Sequence, residues 1–174
     1  FNTKLLTAAL ERAENVGARV THLDLDSINL PFYDADLEVT SGLPGKVRDL
    51  KKQFEEADGL IIATPEYNGF FPGILKNCFD WLTRRTGPDD PILSAFNGKV
   101  AGLMSATVGG SGGIRALTSL TSQLHYLGVT VLPRPFSLTH AGKAFSDTQT
   151  LPVDSLSALD DMSVALLHAL RKSD

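Results

Sequence analysis

The chain has 174 residues and a net charge of −4, from 16 basic and 20 acidic side chains, and 43% of it is hydrophobic but only 7% aromatic, enough aliphatic material for the core of a single domain spanning residues 1–174. No basic run points to nucleic acid, and no apolar run approaches the roughly 20 residues that span a bilayer. One cysteine, Cys78, cannot form an internal disulfide and points to a reducing cytoplasm, while His22, His125, His140 and His168 show no metal-ligand spacing.

In chain order, two kinds of segment alternate. Leu5, Leu6, Ala9, Leu10 and Ala13 mark one face of a helix that Gly17 ends. Residues 19–25, RVTHLDL, alternate at period two and predict a strand. A polar loop with a proline, SINLPFYDADLE, follows. Pro44 then opens a helix whose stripe is Val47, Leu50, Phe54 and Ala57. Residues 59–64, GLIIAT, form a continuous apolar run, as expected of a strand buried on both faces. After a turn comes a helix with Ile74, Leu75, Cys78, Phe79 and Leu82 on one face; Asp80 and Arg84 on it are spaced for a surface ion pair. Residues 99–106, KVAGLMSA, predict another buried strand, followed by the glycine-rich TVGGSGGIR. A helix on Leu117, Leu120, Leu124 and Leu127 leads to a last short strand over residues 129–133. A polar loop over residues 140–150 precedes a C-terminal helix on Leu156, Leu159, Leu166 and Leu170.

This alternation predicts an α/β fold, a doubly wound parallel sheet covered by helices on both sides. A five-strand sheet of this kind has the order 2-1-3-4-5, with the first strand central. The chain opens on a helix, and only four strands are legible. The natural protein is therefore expected to begin about fifteen residues earlier, with that first strand and the loop after it.

Ligands bind such sheets at the carboxyl ends of the strands. Three loops lie there: residues 25–38, 65–73 and 105–113. The last two are glycine-rich and precede helices, so their N–H groups can approach an electron-rich ligand. Asn68 and Gly69 also suit a plain connector, yet a connector has no need of both Glu66 and Tyr67. The glycines of GGSGG equally suit loop flexibility. Cys78, on an apolar face, is expected to be a packed thiol. Phe70, Phe71 and Trp81 are surplus to the stripe of their helix, and Tyr126 lies beside the stripe of the next. Large aromatics of this kind serve as interface anchors, or fold beneath the polar loop of residues 86–97.

The stretch TPEYNGFFPGILKNCFDWLTR, residues 64–84, resembles the NADPH-dependent FMN reductase family, which includes quinone, chromate and azo-dye reductases of flavodoxin-like fold. The likeness extends to PFYDAD, to the serine-containing glycine loop and to the long last helix. FN at the start matches the end of the family's first-loop motif, G-S-x-R-x-x-S-x-N; the earlier part of that motif is not in this sequence. The resemblance implies bound FMN, with NADPH or NADH as co-substrate. It places Asn2 at the phosphate, and Pro65, Glu66, Tyr67, Asn68 and Gly69 along the isoalloxazine, through backbone N–H groups and the faces of Tyr67 and Asn68. It places Ser105 at the flavin's polar edge. It implies hydride transfer to the flavin and ping-pong delivery to a flavin, quinone or similar small acceptor, with no side chain named as catalytic, in a homodimer or homotetramer. The rival reading is a flavodoxin-type electron carrier; such proteins are usually strongly acidic and lack the P-E-Y-N turn.

Overall fold

A computed structural model of the chain describes residues 1–145 and 151–171. Its centre is a parallel sheet. Strand β1 (Gly59–Ala63) pairs with β2 (Val100–Ala106), Gly59 opposite Val100 and Ala63 opposite Met104. The other edge of β2 carries two short strands in line. β3 (Thr130–Val131) lies along Val100 and Ala101, and β4 (Phe136–Leu138) along Met104 to Ala106. The single last strand expected over residues 129–133 is thus shorter, and a second piece follows it. Pro133, Arg134 and Pro135 explain the break, because prolines have no N–H to give to a ladder. Five residue steps separate Val131 from Phe136 where three separate Ala101 from Met104, so the surplus is absorbed in the break.

Two helical layers cover this sheet. Leu60, Ile62, Ala101 and Leu103 point to one side, Ile61, Ala63, Met104 and Ala106 to the other, as the two-residue period of a strand demands. On the second side lie α1 (Asn2–Asn15), through Leu5 and Ala9, and the long C-terminal helix (Val153–Leu170), through Leu159 and Met162. The first side packs Leu50 and Phe54 of the helix Gly45–Glu56, Leu75 to Leu82 of the helix Gly73–Leu82, and Leu117, Leu120 and Leu124 of the helix Ile114–Tyr126. In chain order the helices after α1 are α2 (Leu25–Ile28), α3 (Ala35–Ser41), α4 (Gly45–Glu56), α5 (Gly73–Leu82), α6 (Ile114–Tyr126), α7 (Ala141–Ala144) and α8 (Val153–Leu170). The helix α7 occupies part of the polar loop expected over residues 140–150; residues 146–150 lie outside the described ones.

The strand expected over residues 19–25 does not form. Leu23 and Leu25 do reach the core, as the alternation requires, but among the described residues no strand lies beside the segment to complete a ladder, and from Leu25 the chain coils into α2, capped by Asp24. Among the described residues the free edge of β1 has no strand against it either. Hence β1 is half-buried along its length, where burial on both faces was expected, while β2, paired on both edges, is fully buried.

The polar loop before α4 is more ordered than its composition suggests. Asn77 on α5 accepts from the Tyr33 N–H at 2.7 Å and donates to the Pro31 carbonyl at 2.9 Å. The Trp81 indole donates to the same carbonyl at 2.7 Å, and its ring meets Tyr33 edge-on at 5.0 Å. Trp81 is therefore completely buried in its own chain, and Phe71, packed between Phe70 and Phe79, is nearly so. Neither is a surplus surface aromatic. Ile74, expected in the buried stripe, is exposed instead. Arg84 pairs with Glu38, not with Asp80, whose partner is Lys76.

Candidate functional site

The carboxyl ends of β1, β2 and β4 bring four pieces of chain to one edge of the sheet. The first is the turn after β1. The ladder runs on through the Thr64 N–H, which donates to Met104 at 3.0 Å. Tyr67 and Phe70 then exchange both backbone hydrogen bonds, 2.9 and 3.1 Å, around Asn68 (φ 52°) and Gly69 (φ 82°). Two central residues with positive φ define the tight hairpin that Asn-Gly favours, since asparagine tolerates the left-handed region and glycine has no Cβ to clash there. This hairpin stands Tyr67 (62% exposed) and Phe70 (48%) out of the surface. Phe71 returns the chain to the core, and Pro72 opens α5.

The Glu66 side chain turns the opposite way. It is 6% exposed, accepts the Arg115 backbone N–H at 3.2 Å and forms an ion pair with the Arg115 guanidinium. Arg115 lies in the first turn of α6, where a carboxylate complements the helix dipole. Sequence reasoning passed over Arg115: a cation at a helix start reads as a solvated surface residue.

The second piece is the glycine loop after β2, and its glycines divide into two pairs. Gly112 and Gly113 are buried, with positive φ; a Cβ at Gly112 would lie 2.0 Å from Ser137 Oγ, and one at Gly113 2.0 Å from Ser105 Oγ. They are glycines so that the loop can lie flat on β2 and β4. Gly109 and Gly110 are exposed. A Cβ at Gly109 would meet nothing within 4 Å, and one at Gly110 only the His140 ring, at 3.8 Å. This pair leaves backbone N–H groups approachable from outside. Ser105 lies beneath Gly113, completely buried, and its hydroxyl has no hydrogen-bond partner among the described residues. It faces the underside of the loop, not the open edge.

The third piece is the start of α1. The Asn2 amide donates to the Ala106 carbonyl at 3.0 Å and accepts the Ala106 N–H at 2.8 Å. Its side chain thus fastens α1 to the end of β2, and what remains for a ligand is the first-turn backbone N–H groups, which have no acceptor within a helix. The fourth is His140, which follows β4 in the left-handed region (φ 49°) and donates its N–H to Gly109 at 3.0 Å. Its position beside the glycine loop was not legible from histidine spacing.

Of the residues expected at the site, Asn2, Pro65, Glu66, Tyr67, Asn68 and Gly69 gather at this edge, and Ser105 lies one layer below it. Cys78 is away from the edge; burial pushes its thiol up to about 12. Among the described residues no group of three His, Cys, Asp or Glu could hold a metal ion, and no helix is long and apolar enough to cross a membrane.

A parallel sheet between two helical layers, with its loops collected at the carboxyl ends of the strands, is the flavodoxin-like doubly wound class. The sequence pattern of the NADPH-dependent FMN reductases matches residues 1–143, and the chain belongs to that family. It is 36% identical to a quinone reductase of Escherichia coli K12 over 135 residues, 78% of this chain and 69% of that protein. An NAD(P)H-dependent FMN reductase of Pseudomonas aeruginosa is 33% identical over 144 residues, 82% of this chain and 74% of its own. The solved structure of FerB, a flavoenzyme NAD(P)H:(acceptor) oxidoreductase from Paracoccus denitrificans, superposes with a TM-score of 0.81 at 27% identity, covering 99% of this chain and 91% of FerB.

Proposed function

We propose that this chain binds FMN noncovalently and reduces flavins, quinones or similar small acceptors at the expense of NAD(P)H. The observation that carries the reading is the Asn-Gly hairpin set beside the open Gly109–Gly110 backbone, in a member of this family. The residues fit a flat, electron-rich ring with an anionic tail. Backbone N–H groups of Glu66, Asn68, Gly69, Gly109 and Gly110 would meet the ring's polar edge, with Tyr67 and Asn68 against its side. The first turn of α1, held in place by Asn2, would receive the phosphate. Ser105 would support the glycine loop from below.

FMN, when bound, supplies the hydride chemistry. The protein's part is then to orient the two co-substrates over one face and to leave that face open. The rim of Tyr67 and Phe70 suits stacking by one co-substrate at a time, which is the basis of ping-pong turnover. No side chain at the edge is assigned as acid or base. Phe70 and Tyr126 (81% exposed), with Thr118, Ser122 and Gln123 between them, form a groove along α6 next to this rim. In our reading a second copy of the chain covers it, in a homodimer or a dimer of dimers, in the cytoplasm.

The test is anaerobic mixing of the purified yellow protein with NADPH. Fast bleaching of the flavin is expected. Slow bleaching would make the protein an electron carrier, and heat release of FAD, or of no flavin, would overturn the cofactor assignment.

A further inference from the structure

Two loops flank the proposed ring, and one ion pair joins them. Glu66 belongs to the turn after β1; Arg115 belongs to the helix that follows the glycine loop after β2. The carboxylate is almost fully buried and takes two hydrogen bonds from the same arginine, one from its backbone N–H and one from its guanidinium. The arginine side chain also runs along the turn: a Cβ on Gly69 would lie 3.8 Å from its Cδ and Nε. Glu66 is thus used up inside the protein, while its neighbour Tyr67 faces outward.

We propose that Glu66 and Arg115 are positioning residues for the flavin: a charge-neutral strut that fixes the distance between the two loops and leaves no net charge beside the ring. The proposal rests on the FMN reading. A strut without electrostatic influence would affect only how tightly the cofactor is held. A strut of opposite charges does more, because removing either partner leaves the other unbalanced next to a group that accepts electrons. A lone carboxylate opposes added electrons and lowers the flavin's midpoint potential; a lone guanidinium favours them and raises it.

The experiment compares wild type with Glu66→Gln, Arg115→Gln and Arg115→Lys at pH 8. Both glutamine variants are expected to bind FMN about tenfold more weakly, the scale of losing a charge-assisted hydrogen bond. Dye-equilibration potentiometry should show Glu66→Gln shifted up and Arg115→Gln shifted down, with Arg115→Lys near wild type because the charge is kept. Hydrogen exchange on the apoprotein should show less protection at residues 66–70 and 114–117 in both glutamine variants, and unchanged protection in α1 and α8. Potentials that move in the same direction, or wild-type affinity in both glutamine variants, overturn the proposal. Wild type that binds no FMN defeats the reading beneath it, and hydrogen exchange then decides the strut alone.

Discussion

Asn68 and Gly69 show how a single dipeptide can set the geometry of a candidate site. The Asn-Gly pair fixes the hairpin, and the hairpin fixes where the Tyr67 ring stands. Replacing Tyr67 with alanine is expected to weaken FMN binding by about 1–3 kcal/mol, the loss of one aromatic contact. Titration of apoprotein with FMN measures it, and unchanged affinity would remove the turn from the site. Cys78 is the opposite case, a reactive residue type silenced by its surroundings. With burial pushing the thiol up to about 12, almost none of it is thiolate at pH 8. Iodoacetamide should therefore label Cys78 only in denaturant, as intact mass will report. Both residues were legible, one from turn chemistry and one from its place on an apolar helical face. Arg115 was not, because its partner lies 49 positions away and nothing local marks it. The exchange of Ile74 for Trp81 in the buried set was equally hidden: the indole N–H found its acceptor on a loop distant in sequence.

At the scale of elements, the glycine loop separates two uses of one residue type. Gly113→Ala would force a Cβ onto Ser105 at positive φ and should cost about 1–3 kcal/mol. Gly109→Ala should leave stability within about 0.5 kcal/mol, and any effect it has should fall on FMN binding. Thermal melts of the two apoproteins distinguish them. The segment after α5 is held by another tie. Lys51 of α4 is 2% exposed and bonds the Arg84 carbonyl and the Asp90 carboxylate. Burial pushes the Asp90 carboxyl up, but the bonds from Lys51 and Thr86 override it and hold it at about 2. Because the folded value lies below the ordinary one of about 3.9, this stabilisation is complete above about pH 4 and is lost as pH falls toward 2. Asp90→Asn should lack that component in acid denaturation curves. Lys51→Met should cost about 3 kcal/mol near neutral pH by breaking a buried pair, read from urea melts. Helices α1, α4, α5, α6 and α8 were legible because their stripes are long. Strands were less so. A period-two pattern at residues 19–25 gives alternation but cannot supply a neighbour, and β4 follows a Pro-Arg-Pro that reads as a loop.

For the whole molecule, alternation of helix and strand was enough to place the chain in the doubly wound class, since few topologies accommodate that order. What alternation could not show was which aromatics stay outside. Two of the four proposed as interface anchors, Phe71 and Trp81, are core; Phe70 and Tyr126 remain on the surface. The self-association expected from them therefore depends on a smaller patch. Sedimentation equilibrium at micromolar concentration should give a dimer or larger, and Tyr126→Glu should shift it toward monomer by placing a charge in a desolvated contact. A wild-type monomer with full reductase activity would rule out a site shared between subunits.

The way Trp81 is enclosed has an optical consequence. It is the only tryptophan in the sequence, so the indole emission of the protein comes from one place. That place is the clamp of Asn77, Pro31 and Tyr33, where the indole is dry and hydrogen-bonded. A native spectrum at short wavelength is expected, and Asn77→Ala should move it to longer wavelength by admitting water, before any change in far-ultraviolet circular dichroism. Flavin absorbs where a dry indole emits, so the same residue should dim as FMN is added. One side chain, placed by packing, thus gives a built-in gauge of loop docking and of cofactor loading, separable by the colour shift of the first and the intensity loss of the second.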